Sequence, residues 1–238
     1  MLQLTNVSAG YRRATPVVHE VSLEVQPGEA VGIVGRNGAG KTCLARCLMG
    51  VGQHLGGTIT VDGRRIDGRD SAARIQAGLA LVPEGRMIFG QLTVTENLRV
   101  AAYGARRSLS RSALEEVRAY FPVLATKADD RAGSLSGGEQ QWLTIARALV
   151  QQPKVIVLDE PSLGLSPIAI AALGRVLATI KSERGLALVV MEQSPELLRA
   201  LCRDILVLDR GRILESVLAA TGDERLANVI LGDVAQRS

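Results

Sequence analysis

Residues Gly35, Arg36, Asn37, Gly38, Ala39, Gly40, Lys41 and Thr42 constrain this chain more than any other stretch. They follow an apolar run, Ala30-Val31-Gly32-Ile33-Val34, that reads as a buried strand. They lead into Cys43-Leu44-Ala45-Arg46-Cys47-Leu48-Met49, which reads as a helix. In that strand–loop–helix context the spacing G-x-x-x-x-G-K-[ST] is a phosphate loop. Glycines at 35, 38 and 40 can take positive φ and let backbone approach an anion. The N–H groups then converge as a nest, and the helix N-terminus adds about half a positive charge. Lys41 supplies a mobile ammonium for the outer phosphates, and the Thr42 hydroxyl is a hard oxygen ligand for Mg²⁺. A ligand-free glycine-rich turn would leave the lysine without a purpose. The expected ligand is a nucleoside triphosphate.

The chain's 238 residues suit a single hydrophobic core, so one domain with a subdomain is expected over 1–238. Apolar residues make up 47% and aromatic residues only 3%, and Val/Ile/Leu runs alternate with helical stretches. That pattern favours an α/β architecture with a parallel sheet. A net charge of +4 with no long Lys/Arg block gives no support for a nucleic-acid partner. The pairs Arg12-Arg13 and Arg106-Arg107 read as solvated surface. Three cysteines, Cys43, Cys47 and Cys202, make no disulfide framework. Cys43 and Cys47 lie one helical turn apart, a spacing open to a metal but better suited to small packing groups behind the loop. The N-terminus lacks a charged-then-apolar signal pattern, and no run of ~18 apolar residues exists. A soluble cytoplasmic chain is expected, reaching a membrane only through a partner.

Before the loop, two strands are expected, Leu2–Val7 and Val17–Val25, with Tyr11 at a loop end between them. Tyr11 could stack on a purine or pin the hairpin, and His19 reads as structural or surface. After the loop come a strand through Gly56–Val61, a short helix at Ser71–Ala77 and a buried strand, Leu79–Val82, halted by Pro83. Residues 93–132 read as helical, with amphipathic spacing over Arg111–Phe121. Next is Leu135-Ser136-Gly137-Gly138-Glu139 at a helix start, where Ser136 caps and the glycines leave N–H groups open, a second anion site without a lysine. Val155-Ile156-Val157-Leu158 then ends in Asp159-Glu160, placing two carboxylates at the carboxyl end of a buried strand. A helix from Pro167 to Ser182, a strand from Leu186 to Met191, a helix to Cys202, a hairpin near Asp209–Arg212 and a short helix over 221–232 complete the reading.

The phosphate loop, the stretch Leu135–Glu139 and Val155–Glu160, in this order, resemble the ATP-binding cassette (ABC) transporter ATPases over nearly the whole chain. The resemblance implies the P-loop NTPase fold of ABC ATPases: a mostly parallel core sheet, an antiparallel β subdomain and an inserted α-helical subdomain. The helical insertion would span about 93–132 and continue into a signature helix at 136–151. It implies that Tyr11 stacks on adenine, that Asp159 holds Mg²⁺ and that Glu160 is the general base. Leu135, Ser136, Gly137, Gly138 and Glu139 would contact the γ-phosphate of ATP bound on a second ATPase subunit in a head-to-tail dimer. One chain alone would then hydrolyse poorly, lacking half its donors. The stretches Leu81–Arg86, Glu160–Pro167 and Val190–Gln193 look like one ATPase subunit of the branched-chain amino-acid importers. There, two different ATPase chains pair beneath two transmembrane permease subunits at the cytoplasmic face of the membrane, fed by an extracytoplasmic solute-binding protein.

Three positions depart from the general family pattern. Glu84 stands where a Mg²⁺-touching glutamine is usual, Ser166 replaces an aspartate, and Gln193 replaces the switch histidine. Glutamine can hydrogen-bond a phosphate or a water but cannot become cationic. Two other functions compete with importer ATPase. A non-transport cassette acting on nucleic acid predicts a tandem cassette or long heptad insert, which the chain lacks. A regulatory subunit that binds ATP without turnover is left open by Gln193 and opposed by Glu160.

Overall fold

The computed structural model describes residues 1–12 and 15–219; the helix expected over 221–232 lies outside them. The core is a six-stranded sheet in the order β10-β9-β3-β8-β7-β6. Its strands are β3 (Ala30–Val34), β6 (Leu79–Val82), β7 (Val155–Asp159), β8 (Ala187–Met191), β9 (Asp204–Asp209) and β10 (Arg212–Leu218). All run parallel except β10, which returns antiparallel on β9 through the Asp209–Arg212 hairpin. Every residue of β3, β7 and β8 is buried, the condition that produces unbroken apolar runs rather than alternation.

The period-2 geometry of a strand sends alternate side chains to opposite faces, and two cores result. Ile156, Leu158, Leu188 and Val190 face a core shared with α6 (Gly137–Leu149), α7 (Pro167–Arg184) and α8 (Pro195–Leu201). Val155, Val157, Ala187 and Val189 face the other, shared with α1 (Lys41–Leu48) and a second sheet. That second sheet is antiparallel, ordered β2-β1-β4-β5 from β1 (Leu2–Arg12), β2 (Thr15–Val25), β4 (Gln53–Val61) and β5 (Arg64–Arg65). The first strands run longer than their apolar patterns suggest. Register shifts between Leu4 and Val7 and again to Ala9 absorb extra residues, with Asn6 at φ 52°, and bulges of this kind blur alternation in the sequence.

The expected helical stretch consists of α3 (Val94–Gly104), α4 (Arg111–Tyr120), α5 (Pro122–Thr126) and a 3₁₀ turn at Ala132–Ser134, leading into α6. Thr93 and Glu96 form a capping box at the start of α3, which explains why the helix begins where the sequence places it. The short helix α2 is Ser71–Gln76, capped by Asp70. The parallel strands β3, β6, β7 and β8 all deliver their carboxyl ends to one edge, where ligands bind in open α/β sheets.

Candidate nucleotide site

The loop after β3 takes the shape the sequence predicts, though its glycines differ in purpose. Gly38 and Gly40 sit at φ 84° and 113°, and Gly40 caps α1 from a left-handed conformation. Gly35 is not at positive φ. A Cβ there would stand 2.3 Å from the Leu208 carbonyl oxygen of β9, so close packing, not backbone freedom, demands glycine.

Lys41 is only 5% exposed. Its Nζ donates to the Gly35 carbonyl at 2.7 Å and pairs with Glu160 Oε1 at 3.2 Å. The ammonium is thus held in place rather than mobile, between the loop backbone and a carboxylate from the end of β7. Thr42 Oγ1 donates to Asp159 Oδ1 at 3.4 Å. Burial pushes the Asp159 carboxyl up to about 6, with Glu84 and Glu160 adding to the rise and the Thr42 hydroxyl and Lys41 opposing it. A buried carboxylate pushed toward protonation gains from a divalent cation beside it.

Gln193, just after β8, closes the arrangement. Its Nε2 donates to Glu160 Oε1 at 2.9 Å and to Asn37 Oδ1 of the phosphate loop at 3.1 Å. Both amide protons are therefore used, and one side chain ties β8, the phosphate loop and the end of β7 together. Glu160 itself adopts φ 49°, an uncommon left-handed conformation for a non-glycine residue. A cleft of about 420 Å³ is lined by Tyr11, Arg36, Asn37, Gly38, Gly40, Lys41, Thr42, Glu84 and Glu160, with Val17 and Leu163. Tyr11 is 56% exposed at its rim. Cys43 lies in the same loop–helix junction, but its side chain is buried in the core with Cys47, and burial raises both thiols.

Leu135, Ser136, Gly137, Gly138 and Glu139 do not line this cleft. Ser136 Oγ accepts from Glu139 N at 3.4 Å, and Glu139 Oε2 accepts from Ser136 N at 2.8 Å, completing a capping box on α6. Lys127 pairs with Glu139 at 2.7 Å and, with the Ser136 N–H, holds that carboxyl below its usual range. Gly138 has nothing within 4 Å of where a Cβ would stand, so the start of α6 is open on that side. Arg86, at φ 65°, donates from Nη1 to Gln140 Oε1 at 3.4 Å. Ser166 caps α7, accepting from Ala169 N at 3.4 Å, which gives the residue in the unusual position a plain structural task.

Sequence reasoning does not single out Glu192. Its buried carboxylate accepts from the backbone N–H groups of Ser162, Gln193 and Ser194. An acidic residue directly after an all-apolar strand is the available signal.

A phosphate loop and an acidic strand end on a doubly covered parallel sheet define a nucleotide-binding ATPase of the P-loop class. Residues 18–163 match the ABC transporter family model, and the chain belongs to that family. It is 38% identical over 228 residues to the high-affinity branched-chain amino acid transport ATP-binding protein BraG of Pseudomonas aeruginosa, covering 96% of both chains. It is 32% identical to the lipopolysaccharide export system ATP-binding protein LptB of Haemophilus influenzae, covering 98% of both. A solved structure described as the ATP-binding subunit of an ABC transporter superposes with a TM-score of 0.81 at 25% identity, covering 97% of this chain and 99% of that one.

Proposed function

We propose that this chain is the ATP-hydrolysing subunit of an ABC importer for branched-chain amino acids or related small organic solutes. The observation that carries the reading is the convergence of Lys41, Asn37, Glu160 and Gln193 into one hydrogen-bonded group at the carboxyl ends of three parallel strands. In this reading the loop N–H groups from Gly35 to Cys43 and the Lys41 ammonium cradle the phosphates of ATP, and Tyr11 stacks on the base. Lys41 exchanges its Glu160 partner for phosphate oxygens, which frees Glu160 to accept a proton from the attacking water. Gln193, whose amide protons hold Glu160 and Asn37, orients that water through its acceptor oxygen.

Mg²⁺ fits the donor set: Thr42 Oγ1 and Asp159 are adjacent hard oxygens, and Glu84 lines the same cleft. Among the described residues no cluster of three or more His, Cys, Asp or Glu could cage a metal alone. The cation would neutralise charge developing between the phosphates.

The signature residues Leu135 to Glu139 lie outside the nucleotide cleft, which supports a head-to-tail dimer in which they serve ATP on a second, different ATPase chain. Among the described residues no helix is long and apolar enough to cross a membrane. In this reading the membrane path belongs to two permease subunits, with this chain bound at their cytoplasmic face and a solute-binding protein supplying substrate from outside. A groove of about 300 Å³ lined by Leu81, Pro83, Met87, Phe89 and Val100 offers an apolar seat for a permease segment, with Met87 62% and Phe89 46% exposed. The likeness to an export-system protein favours a second reading, outward transport of a lipid-linked solute. Purifying the chain with its native membrane subunits decides between them: amino-acid-stimulated ATP turnover supports the importer, and turnover indifferent to amino acids but dependent on a lipid-linked solute overturns it.

A further inference from the structure

We propose that Glu192 is a positioning residue that sets the backbone of Glu160 and Gln193 in mutual register; the inference rests on the hydrolytic reading above. Glu192 follows β8 and is 3% exposed, and its own N–H extends the sheet by donating to the Ile33 carbonyl at 3.2 Å. Oε2 accepts from Ser162 N at 3.0 Å, while Oε1 accepts from Gln193 N at 2.7 Å and Ser194 N at 3.0 Å. A carboxylate this deep is costly unless compensated, and three amides aimed at its charge provide that compensation.

The three amides belong to two different loops. Ser162 lies two residues beyond Glu160, and Gln193 is the residue whose side chain meets Glu160 at 2.9 Å. Glu160 is held at φ 49° from one side by its N–H donating to the Met191 carbonyl at 2.8 Å. The Ser162–Glu192 bond holds it from the other. A left-handed non-glycine residue persists only where its surroundings over-determine it. Glu192 adds to that determination, beside the Leu163 N–H that donates to the Glu160 carbonyl at 3.2 Å, and anchors Gln193 with the same side chain. It does not line the nucleotide cleft, so it acts through these two residues and not on the nucleotide.

Glu192→Gln tests this without changing size. An amide offers one acceptor oxygen, so one of the two loops loses its acceptor and faces an N–H instead. We expect kcat at this chain's site, read in the assembled complex whose partner carries the matching glutamate-to-glutamine change, to fall about 10- to 100-fold, because small misplacements of a general base are costly. Calorimetric ATP affinity should stay within about 3-fold, the signature of an interaction needed at the transition state and not for binding. Turnover of that complex with Glu192 intact and its loss when Glu160→Gln is added are the controls, and failure of either sinks the hydrolytic reading of this site itself. If both controls hold and Glu192→Gln turns over like the complex with Glu192 intact, the positioning role alone is wrong. A joint fall of kcat and ATP affinity overturns that role equally. Amide hydrogen exchange on the wild-type protein decides even if the variant does not fold. The Ser162 and Gln193 amides should exchange at least about 100-fold slower than an exposed loop, and exchange at the exposed-loop rate overturns the proposal.

Discussion

Lys41 holds a positive charge among carboxylates from a buried position. Its ammonium lies 3.2 Å from Glu160 and 2.7 Å from the Gly35 carbonyl. Lys41→Ala removes the cation and leaves the phosphate oxygens facing Glu160 and Asp159 without it. Charge-assisted hydrogen bonds contribute about 1.5–3 kcal/mol, so ATP affinity should drop at least about 10-fold. Titration calorimetry with MgATP measures this, and unchanged affinity would remove the phosphate-loop reading. The positions of Lys41, Thr42 and Asp159 are legible in the sequence because local spacing fixes them: a loop of fixed length after one strand, and the last residue of another. Gln193 is legible only through family resemblance, since 156 residues separate it from Asn37 and no local rule brings them together. The clamp at Glu192 and the steric need for Gly35 are not legible, because both depend on which backbone groups the sheet order presents to them.

At the scale of elements, the start of α6 shows the clearest agreement between sequence and structure. Ser136 and Glu139 have the capping-box spacing, and the structure forms both reciprocal bonds. Lys127, the third participant, is hidden from sequence reading by the turn that separates it from α6. The Glu139 carboxyl is held low chiefly by the Lys127 hydrogen bond and then by the Ser136 N–H. A depressed folded value means that the stabilisation is fully present above the unfolded carboxylate value of about 4.3 and disappears as pH falls through the folded value. Glu139→Gln should therefore cost about 1 kcal/mol at pH 7, or about 2–4 °C in Tm. The gap between variant and wild type should narrow as pH falls below about 4.3 and close once pH is below the folded value. A gap that persists unchanged into acid, measured by thermal unfolding across pH, would show that the Glu139 charge does not contribute. The β1 and β2 boundaries are the least legible elements, since bulges interrupt the alternation by which strands are read.

For the whole molecule, the proposed composite site makes two consequences testable together. Glu160→Gln keeps shape and hydrogen bonding but cannot take the water's proton, so ATP should bind, hydrolysis at this chain's site should fall about 10²–10⁴-fold, and an ATP-bound dimer should accumulate in sedimentation. The second consequence is asymmetry between the two sites. ATP held by this chain's Lys41 meets this chain's Glu160 and Gln193, because all three belong to one hydrogen-bonded group. Gln193 already donates both amide protons, to Glu160 and Asn37, and it cannot become cationic. If the partner ATPase carries a histidine at the matching position, its site can place positive charge where this one places only a dipole. This chain's site should then be the slower of the two. The measurement is a pair of variants in the assembled complex, Glu160→Gln here and the matching glutamate-to-glutamine change in the partner. The variant in this chain should retain clearly more ATP turnover than the variant in the partner. Equal losses would mean that the sites fire as one unit, with the Gln193 amide equivalent to the histidine it replaces.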